Sequence, residues 1–165
     1  MSPLLRGREE LSRGALLVLL LPGALEELPD REPLEALLRA PGAVAVEPAR
    51  VSYGALARLP PARARSVARR QARRMRLPGT PRVVAALHPL QVPLALALLE
   101  QWPAAELWYG APAGAAGVPR ERELDAAARE RAAATLILPV SGPLWTRMES
   151  LGIESGRLGS ERLSS

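Results

Sequence analysis

The chain has 165 residues, no cysteine, one histidine and a formal net charge of +5. Its length suits a single domain that buries a core without disulfide bonds. Without cysteine there is no disulfide framework and no thiolate metal site, and one histidine is too few for a zinc site of the usual spacing. The chain also lacks the G-x-S-x-G motif of hydrolases and any lysine for a phosphate-binding loop. We therefore expect no bound metal and no cofactor.

The positive charge is concentrated in one segment. All 22 basic residues are arginine, and residues 62–77 hold seven of them and no acid, which leaves the rest of the chain with a net charge of −2. Lysine, asparagine and phenylalanine, the residues of AT-rich codons, are absent, so a GC-rich genome explains the abundance of arginine. Its clustering is therefore more informative about function than its total number.

The first apolar run, residues 15–21, has the composition of a strand but also resembles a signal segment. Arginines precede it, yet acidic residues follow it where a small-residue cleavage site would stand. The run is too short for the roughly 20 residues of a transmembrane helix. We expect a cytoplasmic protein, with peripheral attachment at the inner membrane face as an alternative.

Short apolar runs alternate with helix-length segments along the rest of the chain. The five predicted strands are 15–21, 43–47, 82–87, 105–110 and 135–140. The five predicted helices are 31–40, 62–77, 90–101, 120–133 and 143–151. This alternation is typical of βαβ units, and the near-continuous apolar character of three runs indicates strands that helices cover on both faces.

The predicted fold is α/β, a Rossmann-like parallel sheet of about five strands with helices on both faces. We expect one domain over residues 1–153 and a flexible tail over residues 154–165, which is rich in serine, glycine and arginine. Residues 48–61 and 111–118 have the composition of irregular segments. No internal repeat and no second domain are predicted.

Ligands of open parallel sheets collect at the carboxyl ends of the strands, so the residues after each run are candidates. Gly23, Glu47 and Ser141 are predicted to bind substrate, and His88 to act as a general base. Three of these residues have a structural alternative. His88 could cap a helix or pack beneath a loop, Ser141 is a good N-cap, and Glu47 could be a solvated loop carboxylate.

Trp108 and Tyr109 end the fourth predicted strand. Neighbouring residues of a strand point to opposite faces, so we expect one ring in the core and the other at the mouth of a site. Tyr109 is accordingly a predicted substrate-binding residue, since its ring could stack on a sugar. Ordinary packing is the alternative for both.

The arginine-rich segment 62–77 is predicted to be a helix with a narrow apolar face and a broad basic face. Four arginines are the predicted contacts with a membrane or partner: Arg69, Arg70, Arg73 and Arg74. An anionic membrane surface, an acidic protein and nucleic-acid phosphate would all suit this face. Nucleic acid is the weakest of the three, because no aromatic residue is interleaved with the arginines. A solvated structural helix is the alternative without a binding function.

Two blocks of the sequence resemble a known family. They read RVVAALHPLQVPLALALLEQWPAAELWYG, at residues 82–110, and RERAAATLILPVSGPLWTRMESLGI, at residues 129–153. They are similar to the N-terminal domain of bacterial two-Rossmann-domain (GT-B type) glycosyltransferases, nearest to those of cell-wall and teichuronic acid sugars. The matching places are Leu87-His88-Pro89, Trp108-Tyr109, Val140-Ser141 and Leu151-Gly152.

The resemblance implies a domain that binds a sugar or lipid-linked acceptor, with the nucleotide-sugar donor bound by a separate domain. Two departures from the family are visible. The residues 110–113 replace an acidic element, and the donor-binding half with its E-x7-E pair is absent from this sequence. We therefore expect the chain alone not to catalyse glycosyl transfer. The alternative function is a non-catalytic binding module that uses the arginine-rich helix.

Overall fold

Five parallel strands form one sheet in the order β2-β1-β3-β4-β5. The structure, a computed structural model, describes residues 14–23, 28, 30–47, 53–112 and 114–156. The strands are β1 (Ala15–Leu20), β2 (Ala43–Val46), β3 (Thr80–Ala86), β4 (Glu106–Tyr109) and β5 (Ala134–Thr135). The run that resembles a signal segment thus forms β1, which is buried between two neighbouring strands.

Helices cover both faces of the sheet. They are α1 (Glu32–Leu38), α2 (Tyr53–Arg58), α3 (Pro61–Arg74), α4 (Val92–Gln101), α5 (Pro119–Arg131) and α6 (Gly142–Ser150), and a 3₁₀ turn (Pro89–Gln91) precedes α4. Side chains of β1 alternate between two cores. Leu16, Val18 and Leu20 pack with α2 to α5, whereas Leu17 and Leu19 pack with α1 and α6. We call these sides the four-helix face and the two-helix face.

The predicted fold class is confirmed. The strand order is one of the common orders of doubly wound α/β sheets, in which the chain builds outward from β1 in both directions. The connections from β1 and from β3 leave toward opposite faces, so the ends of these two strands form the switch point of the sheet. In this architecture ligands usually bind at the switch point.

Two segments depart most from the predicted secondary structure. Residues 48–61 were expected to be irregular, but 53–58 form α2, whose Tyr53, Leu56 and Ala57 pack inward at helical spacing. The fifth strand covers only Ala134–Thr135 instead of 135–140. The strand is short because β4 ends at Tyr109, so that later residues have no neighbouring strand to pair with.

The segment after α6 is held against the amino-terminal edge of the sheet. Ile153 bridges Ala15, and the Gly42 N–H donates to the carbonyl oxygen of Glu154 at 2.9 Å. The hydroxyl of the buried Ser155 donates to Glu149 Oε1 at 2.6 Å. Residues 154 and 155, assigned to the tail by composition, therefore contact the domain, and residues 157–165 lie outside the described residues. No helix in the described part of the chain is long and apolar enough to cross a membrane.

Candidate functional site

The Gln91 side chain closes the switch point between β1 and β3. It is 0% exposed, its Nε2 donates to the Leu20 carbonyl oxygen at 3.0 Å, and its Oε1 accepts from the Leu87 N–H at 2.7 Å. One amide therefore satisfies the backbone groups at the ends of both strands. Gln91 was not among the predicted site residues, although a lone amide within the largely apolar stretch 87–99 is a usable signal.

His88 caps the 3₁₀ turn that follows β3. Its Nδ1 accepts from the Leu90 N–H at 3.1 Å, and its backbone is extended. A ring nitrogen that accepts a hydrogen bond carries no proton, so the neutral ring holds its proton on Nε2. Helix capping, the structural alternative for His88, therefore accounts for Nδ1. Nε2 has no hydrogen-bond partner among the described residues, so it is the ring atom that could contact a ligand.

Gly23, Glu47 and His88 follow three adjacent strands. The Leu21 N–H donates to the Val46 carbonyl oxygen at 2.9 Å, so β1 and β2 stay paired to their ends. Gly23 is half-buried and Glu47 is exposed just beyond this pair. Since β3 flanks β1 on its other side, His88 belongs to the same edge of the sheet.

Ser141 is separated from this group because β4 lies between β3 and β5. It is the N-cap of α6, and its Oγ accepts from the Leu144 N–H at 3.4 Å. The capping alternative therefore accounts for the position and contact of Ser141. The structure brings together three of the predicted site residues and leaves this one apart.

Tyr109 is a core residue, so its predicted role in contacting substrate at a site mouth is wrong. The side chain is 1% exposed, and its hydroxyl donates to Asp125 Oδ1 at 2.7 Å. Arg129 pairs with Asp125 at 2.9 Å and stands 5.4 Å above the ring. Burial and the hydrogen bond to Asp125 raise the pKa of Tyr109. Trp108 is also fully buried, because helices cover both faces of β4.

The arginine-rich helix is α3, and its apolar stripe is made of alanines. Ala64, Ala68 and Ala72 are buried against α4, where the small side chains let the two helices approach closely. The opposite side carries four exposed arginines without a hydrogen bond or ion pair among the described residues: Arg63, Arg70, Arg73 and Arg74. We call these four the α3 arginine surface.

Arg69, also predicted to contact a membrane or partner, pairs with an acidic residue of the protein itself. Its Nε donates to Glu100 Oε2 at 2.6 Å, and its Nη2 donates to Oε1 at 3.2 Å. This two-point contact joins α3 to α4 and lowers the pKa of the Glu100 carboxyl. The other three predicted contact residues, Arg70, Arg73 and Arg74, have no ion-pair partner among the described residues.

Comparison with protein-family models, curated proteins and solved structures finds no match. The resemblance to glycosyltransferase acceptor domains therefore stays a prediction.

Two adjoining depressions lie on the four-helix face. The larger, of about 790 Å³, runs between α3, α4 and α5, and we call it the α4 groove. Its charged lining is balanced between three arginines and three glutamates: Arg65, Arg120, Arg131, Glu100, Glu123 and Glu130. The smaller, of about 680 Å³, lies beside the junction of α2 and α3, and we call it the corner cleft. Pro61 and Arg120 line both.

Proposed function

We propose that the protein binds an anionic membrane surface through α3. The observation that carries the proposal is the α3 arginine surface, whose members are exposed and unpaired within the described residues. Arg63 and Arg74 are eleven positions apart, so the surface extends about 17 Å along the helix. Each arginine near an anionic leaflet contributes about 1 kcal/mol, so four of them amount to about a thousandfold in affinity at low salt.

The binding is electrostatic and does not involve insertion of the helix into the bilayer. The alanine stripe of α3 is already buried against α4, and Val67, which lies between Arg63 and Arg70 on the helix surface, is a single, partly buried apolar side chain. An amphipathic helix that inserts needs a free apolar face. Because the contacts are between exposed charges, attachment should weaken steeply as salt shortens the screening length.

An acidic protein partner fits these features less well than a membrane. A helix of a partner protein would bind in the α4 groove, which is the concave feature next to α3. The positive and negative charges that line this groove are equal in number, so the groove does not favour an acidic helix. The unpaired positive charge lies instead on the outer side of α3, which is convex and suits an extended anionic plane. Nucleic acid would also meet phosphate here, yet α3 offers no aromatic side chain for base stacking.

Vesicle sedimentation tests the proposal. The protein should bind vesicles that contain anionic lipid, should not bind purely zwitterionic vesicles, and should be released by salt. The double variant Arg70→Gln/Arg73→Gln should bind about thirtyfold more weakly, from about 1 kcal/mol for each lost charge. Binding that is indifferent to lipid charge would exclude the proposal.

A matched control separates the α3 surface from net charge. The double variant Arg31→Gln/Arg39→Gln removes the same charge from the region of α1, on the two-helix face. It should bind anionic vesicles nearly as well as the parent protein. Equal losses in both double variants would show that overall charge, and not α3, attracts the protein to the membrane. Competition by duplex DNA distinguishes nucleic acid as the target.

A second candidate is the acceptor domain of a glycosyltransferase, which would depend on a separate donor-binding domain. It is favoured by Gly23, Glu47 and His88, which follow three adjacent strands beside the switch point. Because His88 is the only histidine, its ring gives a single, directly assigned NMR signal. Titration with sugar or lipid-linked acceptors should shift that signal, and an unchanged signal with every acceptor would contradict this candidate.

A further inference from the structure

The corner cleft has the size and lining of a small-molecule site. Its volume of about 680 Å³ lies within the range of roughly 300–1,000 Å³ that is usual for ligand pockets. Its walls come from the end of α2, the start of α3, the 3₁₀ turn and the start of α5. Three packed helices and a turn therefore define the shape of the cleft.

Most of the lining is apolar. Ala57, Leu59, Pro60 and Leu90 contribute to it, and Val118 lies in the wall just before α5. Val118 is 50% exposed and is one of two large apolar side chains that are exposed among the described residues. An apolar ligand in the cleft would cover Val118, which nothing within the described protein does.

Two cations with free hydrogen-bonding capacity line the same cleft. Arg58 is exposed and makes no hydrogen bond or ion pair among the described residues. Within the part of the chain that the structure describes, the buried Nε of Arg120 has no partner, and its one ion pair is a long contact of 3.4 Å from Nη1 to Glu123. Glu121 also lines the cleft, so the cations outnumber the acids there. An anionic group in the cleft would meet two guanidinium groups, each of which can donate charge-assisted hydrogen bonds.

We propose that the corner cleft binds a single-chain anionic amphiphile, with the alkyl chain against the apolar lining and the anionic headgroup at Arg58 and Arg120. The α4 groove is less suited to such a ligand because its charges balance. The site is distinct from the α3 arginine surface, whose four members do not line the cleft. A failure of membrane binding and a failure of amphiphile binding are therefore separate outcomes.

Calorimetric titration of the full chain with n-alkyl phosphates of increasing length, each kept as monomers, tests the proposal. Affinity should rise two- to fourfold for each added methylene group until the cleft is filled, as expected for burial of the chain. Alkyl glucosides of equal length should bind at least tenfold more weakly, and inorganic phosphate should show no measurable binding. Affinity that does not change with chain length would overturn the proposal, as would equal affinity for the glucosides.

The variant Val118→Ser separates binding from folding. Val118 is the N-cap of α5 and has an extended backbone, where serine is preferred to valine. The variant should unfold at higher denaturant concentration, yet it should bind every alkyl probe several-fold more weakly. Unchanged affinity would show that the chain does not lie on Val118 and would contradict the site.

The variant Arg58→Gln/Arg120→Gln tests the headgroup contacts. It should lose at least tenfold in affinity for alkyl phosphates and keep its affinity for alkyl glucosides. Arg122→Gln is the matched control, because Arg122 is exposed on α5 but does not line the cleft. Loss of phosphate binding in the control, or its retention in the double variant, would place the site elsewhere.

Discussion

Gln91 shows how one side chain can hold together the centre of the sheet. Replacing it by leucine keeps the volume but leaves the Leu20 carbonyl and the Leu87 N–H buried without partners. Each such group costs about 1–3 kcal/mol, so Gln91→Leu should lower the free energy of unfolding by about 2–6 kcal/mol. Urea denaturation measures the change.

Gln101→Leu is the matched control for Gln91→Leu. Gln101 is exposed at the end of α4, so its replacement should change stability by less than about 0.5 kcal/mol. Equal denaturation midpoints for the two variants would contradict the bridging role assigned to Gln91.

The candidate residues at the strand ends were partly predictable at this scale. Gly23, Glu47 and His88 could be placed from local pattern, because the end of an apolar run is visible in the sequence. The burial of Tyr109 could not, since it depends on Asp125 and Arg129, which a helix later in the chain brings over the ring. Gln91 was missed because its partner at Leu20 lies 71 residues away.

Among the elements, α3 has one side that packs tightly on α4 and an opposite side that is exposed to solvent. Ala68 is buried against α4, so Ala68→Leu would overfill the contact and should cost about 1–3 kcal/mol. Ala62→Leu is the matched control, because it makes the same change in helix propensity at an exposed position of the same helix and should be nearly neutral. Urea unfolding of the two variants compares their free energies of unfolding. A neutral Ala68→Leu would show that α3 packs loosely on α4.

The limits of the elements were less predictable than their existence. Helix α3 was expected to run to residue 77 but ends at Arg74, three residues earlier, ahead of Pro78 and Gly79. Proline disfavours helical backbone in the residue before it, so Pro78 shows that the helix must end by about this point. The sequence does not show at which of the preceding residues the helix ends. Helix α2 was missed because prolines and glycine surround its few apolar positions.

For the whole molecule, alkaline pH should be destabilising. The chain has two tyrosines, and burial raises the pKa of Tyr53 from its ordinary 10.0 to about 12. Tyr109 is shifted in the same direction by burial and by Asp125. Between pH 10 and 12 the unfolded chain loses phenolic protons that the folded protein keeps, so stability should fall as pH rises through this window. Phenolate absorbance should therefore appear together with the loss of circular dichroism.

Phenylalanine substitutions separate the two tyrosines. The Tyr53 hydroxyl is buried and has no hydrogen-bond partner among the described residues, so Tyr53→Phe should be neutral or stabilising at neutral pH and should reduce the alkaline loss of stability. Tyr109→Phe removes the hydrogen bond to Asp125 and should lower stability by about 1–3 kcal/mol. Phenolate absorbance that appears near pH 10 in the folded protein would contradict the assigned burial of both rings.

The sequence by itself determined the α/β class, the number of strands and the concentration of positive charge on one helix. These follow from local periods of apolar and charged residues, which depend on neighbours a few positions apart. The tertiary structure alone decided that Arg69 pairs with Glu100, that Tyr109 is enclosed, that Gln91 joins two strand ends, and that Arg58 and Arg120 meet at one cleft. Each of these contacts joins segments far apart in the chain, and only the packing of the helices on the sheet brings them together.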